Sequence, residues 1–449
     1  MNIADHLDIE VKIPGTLVDN TNTRDSLRQK FLKEHYPEWK QFDRFPGAQV
    51  VSLAQQNIAL LQQQDYMVCE KTDGVRVFLW FFSNTTGNKL NTFCFFVDRN
   101  FDFFQIPNWF PKARLNPKNR QRSLYSNVLL DGELVHDTIN DKKHLVFYVF
   151  DAMHVDKPLR ERNLRKRLAY VQQVVFLHHD WMKNCPGDNT MTKEFVLKAK
   201  PFAEVTKSEV RRVFDSLNKL AHETDGLIFT PVDVPYASGT MESLLKWKPK
   251  ELNTVDFALS FDHMGDIKVP VLTVTGREGI RMNFDVINLS VRKVEEYYRR
   301  AHEAGTEIPI LECRPTERVG RVPLPLNQQS ITRLKPNEPA LDQLKCSERE
   351  GQFEWECLRM RTDRKEPNFI GTVQKVLASI KDGITIDVLV EFIKDADEKQ
   401  SHIANVEYLP TPKPAVHPWM IEIPATMFPL APKALLKKRS ASDIKAPRT

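Results

Sequence analysis

Residues 69–82 read CEKTDGVRVFLWFF. Lys71 stands two residues before an Asp-Gly pair, at the mouth of an apolar run rich in β-branched and aromatic residues. Such a run fits a buried strand. Asp-Gly is a strong hairpin signal, because a type I′ turn needs positive φ at both central residues. The pair returns at 131–132 within LLDGELV (129–135) and at 225–226 within TDGLIF (224–229), each time between apolar runs. The plain expectation is three hairpins in antiparallel sheets. That accounts for the glycines and leaves the charges unexplained.

Glu70, Lys71 and Arg76 flank the first pair, Glu133 follows the second, and Asp225 belongs to the third. Asp98 and Arg99 close another apolar strand, FFVDR (95–99). In LLKWKP (244–249), Lys246 and Lys248 are two residues apart, so in a strand they share a face. Two adjacent ammonium groups repel each other, which is costly on a dry face and useful around a phosphate. One candidate nucleophile, several cations and several carboxylates suit nucleotidyl transfer. Cations neutralise a polyphosphate as charge builds in the transition state. Carboxylates hold ribose hydroxyls or a hard divalent metal such as Mg²⁺. Cations crowded around a lysine favour the neutral amine, which is the form that attacks.

With 449 residues, two domains are the default. Apolar residues make up 41% of the chain and charged ones 27%, an ordinary globular composition. The net charge of +5 misleads: residues 433–449 hold six Lys or Arg against one Asp, so the remainder is about neutral. Net charge therefore gives no argument that the folded body binds nucleic acid. The cysteines at 69, 94, 185, 313, 346 and 357 include no Cys-x-x-Cys pair, against a zinc ribbon or thioredoxin-like motif. The start, MNIADHLDIEV, is acidic and lacks a signal-peptide core, and no apolar run approaches the ~20 residues of a membrane span. An intracellular, reducing setting is expected. Neither a Gly-x-x-x-x-Gly-Lys-Ser/Thr loop nor a His-Cys-x5-Arg phosphatase loop occurs.

Strand-like runs fill 66–104, 126–137 and 145–155, helical spacing marks 159–182 and 206–221, and strands return at 226–232 and 244–249. After Asn253 the texture changes to short strands, a helix over 291–304, a Pro- and polar-rich stretch over 314–345, a strand at 353–361 and helices at 368–380 and 386–396. Beyond about 408 the chain is Pro-rich and then basic, and little fixed structure is expected. The expected divisions are 1–255, 256–368, a helical segment 369–398 and a tail 408–449.

The ordered set EKTDGVR, FFVDR, LLDGELV, TDGLIF, LLKWKP and RMRTDR (359–364) resembles the covalent nucleotidyltransferases, which include mRNA capping enzymes, ATP-dependent DNA ligases and RNA ligases. TDGLIFTPVDVPY, then LLKWKPKELNTVDF and WECLRMRTDRKEPN, are most similar to the mRNA guanylyltransferases, fungal type. The resemblance runs from about 45 to 398. It implies a mixed α+β fold with antiparallel sheets, a nucleotidyltransferase domain followed by an OB-fold β-barrel, GTP as substrate, and Mg²⁺ or Mn²⁺.

By that resemblance Lys71 attacks the α-phosphate of GTP, and the GMP then passes to the 5′-diphosphate end of RNA. Arg76 and Arg99 would contact ribose or the RNA end. Glu133 would bind ribose hydroxyl or metal, and Asp225 metal. Phe150, in YVFDA, would stack on guanine, and Lys198 or Lys200 would reach its carbonyl. Lys246 and Lys248 would hold the α-phosphate, and Asp256 would act near the leaving group. Arg359, Arg361, Asp363 and Arg364 would come from a second domain that closes over GTP. Arg364 stands where the last motif usually has lysine. Implied partners are a separate RNA 5′-triphosphatase subunit and the phosphorylated C-terminal tail of RNA polymerase II, in the nucleus, with no membrane. The alternatives are an ATP-dependent DNA or RNA ligase, or a non-enzymatic member that uses the cleft for binding.

Plainer readings stand beside these. Phe150 reads more easily as a core residue than as a base-stacking one. Arg160 to Arg167 reads as a solvated helix face or, alternatively, an RNA phosphate contact. His178-His179-Asp180 looks metal-like but lacks a further ligand nearby. The KKR at 437–439 is either a nuclear import signal or a solvated tail.

Overall fold

The computed structural model describes residues 11–86, 89–114, 123–185, 191–264, 267–287, 289–317, 353–361 and 364–393. The expectations for Asp363, for most of the Pro- and polar-rich stretch, for 394–398 and for the 408–449 tail fall outside these residues.

In chain order the first elements are β1 (Thr16–Leu17), α1 (Thr21–His35), β2 (Gln49–Ser52), α2 (Leu60–Gln63), β3 (Tyr66–Thr72), β4 (Val75–Thr86), β5 (Lys89–Val97), β6 (Phe103–Gln105), β7 (Asn127–Ile139) and β8 (Lys142–Val155). Then come α3 (Leu164–Asn184), β9 (Val196–Ala199), β10 (Ala203–Glu204), α4 (Lys207–Ser216), β11 (Thr224–Pro231) and β12 (Thr240–Trp247). The remainder is β13 (Val255–Met264), β14 (Ile267–Thr275), β15 (Arg281–Val286), α5 (Val291–Glu303), β16 (Ile310–Glu317), β17 (Phe353–Met360), α6 (Ile370–Asp382) and α7 (Ile386–Phe392).

Three sheets result, ordered β1-β6-β5-β4-β7-β8-β9, β10-β3-β11-β12-β2 and β15-β14-β13-β16-β17. The fold is mixed α+β, and its strand pairs are antiparallel except at two sheet edges, β8–β9 and β12–β2. The third sheet, with α5 between its third and fourth strands, has the OB-type order. Its two outer strands meet through Trp355, whose indole N–H donates to Asp285 Oδ2 at 3.0 Å.

The apolar runs read from the sequence are strands because alternate residues enter different cores. In β4, Val77, Leu79 and Phe81 pack with Phe96, Phe147 and α3 on one face, and Phe78, Trp80 and Phe82 pack with α1 on the other. Two buried faces explain why the stretch is continuously apolar. The second sheet has its own core around Val68, Leu227, Phe229 and Trp247.

The C-terminal helices bridge two cores. Val373 and Val376 of α6 enter the OB-type core, whereas Ile384, Leu389 and Ile393 enter the core of the second sheet. Trp247 Nε1 donates to the Ile384 carbonyl at 2.8 Å across that junction.

None of the three Asp-Gly pairs is a hairpin. Asp73-Gly74 joins β3 to β4, which lie in different sheets; Asp131-Gly132 lies inside β7; Asp225-Gly226 lies inside β11. The glycines are needed for close approach instead. A Cβ on Gly74 would sit 2.3 Å from the Leu134 carbonyl oxygen, and one on Gly226 would sit 2.1 Å from that of Trp247. Among the described residues, a two-residue hairpin with positive φ at both positions occurs at Asn140-Asp141 (50° and 58°), between β7 and β8.

The expected solvated face over Arg160–Arg167 holds for Arg162, Arg165 and Lys166, which are exposed, and is corrected at Arg160 and Arg167. Helix α3 starts later than expected, at Leu164, because the Asn163 side chain accepts from Lys166 N–H and caps it there. Arg167 is buried and grips Asp151 through Nε at 2.7 Å and Nη2 at 3.1 Å. Arg160 donates to the His35 carbonyl and Glu38 while stacking on the Tyr36 ring.

Candidate active site

Lys71 is near the end of β3, opposite Gly226 of β11. The β3–β11 register slips between Thr224 and Gly226, so Asp225 is an extra residue on its strand. A bulge re-aims the side chain it carries. Here it brings the Asp225 carboxylate to Lys71: Nζ is 2.8 Å from Oδ1 and 3.0 Å from Oδ2. Lys248, just past β12, pairs with the same carboxylate. Burial alone would raise the Asp225 carboxyl, but Lys71 and Lys248 more than offset it and hold it below the usual range.

Lys246 belongs to the same cluster. Burial, then Lys248 and Lys71, push its amine down to about 8, with Asp225 opposing. Arg99 follows β5 and keeps solvent contact. The surrounding protein, then Arg76, push its guanidinium down to about 10, with Arg364 of the third-sheet region also repelling it. Glu133 on β7 is pushed up by burial, against the pull of Lys200, Lys71, Arg99 and Arg76. The structure thus brings Lys71, Arg99, Glu133, Asp225, Lys246 and Lys248 from the first and second sheets into one charged cluster.

Arg76 is present but committed. Its Nε and Nη2 grip the buried Asp131 at 3.0 and 2.7 Å, and Nη1 donates to the Ala48 carbonyl at 2.5 Å. Tyr236 O–H donates to Asp131 at 2.6 Å and its oxygen accepts from Ala48 N–H at 2.9 Å. The guanidinium lies 5.6 Å from the Phe150 ring centroid. Phe150 is partly exposed and enters none of the four apolar clusters, so the plain core reading does not hold for it.

Lys198 and Lys200 separate. Lys198 donates to Asp137 at 2.8 Å. Lys200 is buried, lies 3.4 Å from Glu70 Oε1 and donates to Thr72, directly behind the Lys71 strand. His222 lies between, with Nδ1 3.0 Å from Asp137 and Nε2 3.7 Å from Glu70. Sequence reasoning missed Asp137 and His222, as it did Asp131 and Tyr236. Asp131 and Tyr236 lie inside quoted motifs, but nothing local marks their contacts, and Asp137 and His222 are 85 residues apart along the chain.

On the third sheet Asp256, Glu312 and Arg359 are successive cross-strand partners. Arg361 Nη1 donates to Asp256 at 3.3 Å and Arg364 Nε lies 3.2 Å from its other oxygen. Arg359 Nε donates to Glu312 at 2.7 Å, and Arg361 is 3.6 Å from the same oxygen. Glu312 thus shares with Asp256 the charge of three arginines. His178, the metal-like residue, is buried against Asn108 and pushed down to about 3 by burial, and no group of three metal-ligating side chains occurs among the described residues.

Residues 9–250 match the family described as mRNA capping enzyme, catalytic domain, and residues 252–390 match its C-terminal domain. The chain belongs to the mRNA capping enzyme family. The mRNA-capping enzyme subunit alpha of Saccharomyces cerevisiae is 30% identical over 431 residues, covering 89% of this chain and 90% of that protein. That of Eremothecium gossypii is 31% identical and covers 78% of each. The mRNA-capping enzyme of Danio rerio is 27% identical, covering 85% of this chain and 55% of that protein. Family membership makes the chain an enzyme of mRNA capping, among the guanylyltransferases, and sets aside the ligase and non-enzymatic alternatives. No helix among the described residues is long and apolar enough to cross a membrane.

Proposed function

We propose that this capping-family chain transfers GMP from GTP, through a covalent Lys71 Nζ–GMP phosphoramidate, to the 5′-diphosphate end of RNA. The observation that carries the reading is the cluster around Lys71: one lysine held against Asp225, with Lys246, Lys248 and Arg99 beside it and Glu133 facing it. In the first step the Lys71 amine attacks the α-phosphorus, the bond to the β-phosphate oxygen breaks, and pyrophosphate leaves. In the second, a terminal oxygen of the RNA diphosphate attacks the same phosphorus, the N–P bond breaks, and Lys71 is released as an amine.

Lys246, Lys248 and Arg99 neutralise the polyphosphate, where fixed charges act with little reorganisation. Asp225 positions Lys71 and yields it as the nucleotide arrives. The partly exposed Phe150 offers a face to guanine, and Lys200, beside Glu133, is better placed than Lys198 to reach it. Arg359, Arg361 and Arg364 exchange Glu312 and Asp256 for the leaving phosphates as the second domain closes.

Glu133 and Asp225 suit a divalent cation. Glu133 is a carboxylate pushed up by burial, which a cation would relieve. Mg²⁺ commonly takes one or two carboxylates and completes its shell with phosphate oxygens and water. Mg²⁺ or Mn²⁺ held there would add positive charge at the phosphates. The name "subunit alpha" of the relatives supports a separate partner subunit, for which an RNA 5′-triphosphatase is the reading. Docking to the phosphorylated polymerase tail and a nuclear location belong to the same proposal.

The test is transfer to RNA. With Mg²⁺, labelled GTP and 5′-diphosphate RNA, the protein should yield a nuclease-resistant 5′–5′ linked cap. RNA joined end to end, or no RNA product, would refute the reading.

A further inference from the structure

Cys313 on β16 and Cys357 on β17 are direct cross-strand partners. Such partners hold their Cα atoms about 4.5–5.5 Å apart, within the ~4.4–6.8 Å that a disulfide spans without backbone movement. The Cys313 thiol donates to the Leu311 carbonyl at 3.7 Å and the Cys357 thiol to the Arg359 carbonyl at 3.8 Å, so each sulfur is held locally on its own strand beside the other. The register slips beside them, between Glu312 and Cys313, which leaves Leu358 as an extra, exposed residue on β17. Cys313 is fully buried, whereas Cys357 keeps solvent contact.

The two thiols are unequal. The neighbouring Cys313 lowers the Cys357 thiol, and against the cost of burial so do the Tyr297 hydroxyl, 3.4 Å from its Sγ, and Lys293. Burial raises Cys313. A partly exposed sulfur with thiolate character next to a buried partner is the arrangement of an attacking and a resolving cysteine. No step of the capping chemistry uses either.

We propose that Cys313 and Cys357 form a dithiol that hydroperoxides oxidise reversibly, a covalent modification site in the OB-type barrel. The Cys357 thiolate attacks a peroxide oxygen, the O–O bond breaks, and the departing hydroxide takes a proton to become water. This leaves Cys357 as a sulfenic acid. The Cys313 sulfur then attacks the Cys357 sulfur, its own proton goes to the departing hydroxyl, and a second water leaves. Two thiols and one hydrogen peroxide give one disulfide and two waters, with two electrons passing from sulfur to oxygen. The bond staples β16 to β17 two residues before Arg359 and one after Glu312.

The experiment is peptide mapping of the full chain after a stoichiometric hydrogen peroxide pulse, alkylation of free thiols and trypsin digestion. Trypsin separates Cys313 (residues 301–318), Cys346 (346–349) and Cys357 (350–359). The expected product is peptide 301–318 linked to 350–359, two hydrogens lighter than their sum and separated by dithiothreitol. In Cys313→Ser the sulfenic acid of Cys357 should persist and be trapped by dimedone. Two alkylated thiols after the pulse, Cys357 joined to Cys346 or Cys185, or sulfinic acid at Cys357 without the link would each overturn the proposal. The wild-type map decides the matter even if the serine variant does not fold.

Discussion

Lys71 Nζ lies 2.8 Å from Asp225 Oδ1, and the two residues are 154 positions apart in the chain. The bulge in β11 that makes Asp225 an extra residue is what allows the contact. Asp225→Asn would leave Lys71 and Lys248 without their shared counter-charge and free to repel each other. The expected result is GMP attachment slower by on the order of a hundredfold, with the unfolding midpoint little changed. Initial labelling rates settle it; a variant within twofold of wild type would remove Asp225 from the chemistry.

Arg76 and Asp131 give a stability prediction. Both are buried, and Asp131→Ala leaves the guanidinium without a counter-ion, which costs about 3–5 kcal/mol. Urea unfolding should show that loss. A cost under about 1 kcal/mol would mean that the pair is not buried in solution.

Lys246 gives a proton-linkage prediction. Its amine is lowered to about 8 from the ordinary 10.5, so it is mostly neutral near pH 9 in the free protein. A bound phosphate restores the charge, so GTP binding near pH 9 should take up close to one proton, about 0.5 or more. Calorimetry in buffers of different ionisation enthalpy measures the uptake, which Lys246→Arg should abolish. The linked stability effect has a definite sign. Between the two values the unfolded chain binds more protons, so this group's contribution to stability rises with pH in that window. No uptake by the wild type would contradict the placement of Lys246 at the phosphates.

His222 predicts an alkaline loss of stability. Burial disfavours its imidazolium, but Asp137 and Glu70 more than compensate and raise it above 6.5. Lys198, Lys200, Thr72 and the Tyr148 hydroxyl complete the surroundings through those carboxylates. The His222 contribution is full below its ordinary value and is lost as pH rises through its raised one. Asp137, held at about 2 against burial by His222 and Lys198, contributes above its ordinary carboxylate value and loses that as pH falls. His222→Gln should therefore flatten stability against pH on the alkaline side of 6.5; an unchanged slope there would refute the bridge.

The strands and helices were legible because apolar runs act locally, as the FLWFF strand shows, whereas the start of α3 was misplaced because the Asn163 cap was not read. The Asp-Gly pairs misled because two different needs select the same residue. A type I′ turn wants glycine for its φ, and Gly74 and Gly226 are wanted for their missing Cβ. Composition does not separate those causes, and Asn140-Asp141 shows that a true I′ turn here uses no glycine.

The charged cluster was legible only through the order of its motifs. Lys71, Glu133 and Asp225 were quoted because they flank those motifs. Asp131 was quoted too, but nothing in the sequence says that it captures Arg76 with Tyr236, 160 residues away. Long-range polar contacts leave no periodicity, so His222 and Asp137 behind the nucleophile strand were invisible.

The most direct measurement is covalent labelling. The pure protein with Mg²⁺ and α-phosphate-labelled GTP, run on a denaturing gel, should give a labelled band that pyrophosphate reverses, that labelled ATP does not give and that a folded Lys71→Ala variant lacks. Full labelling of Lys71→Ala would contradict the nucleophile, and a band with ATP in place of GTP would contradict the reaction.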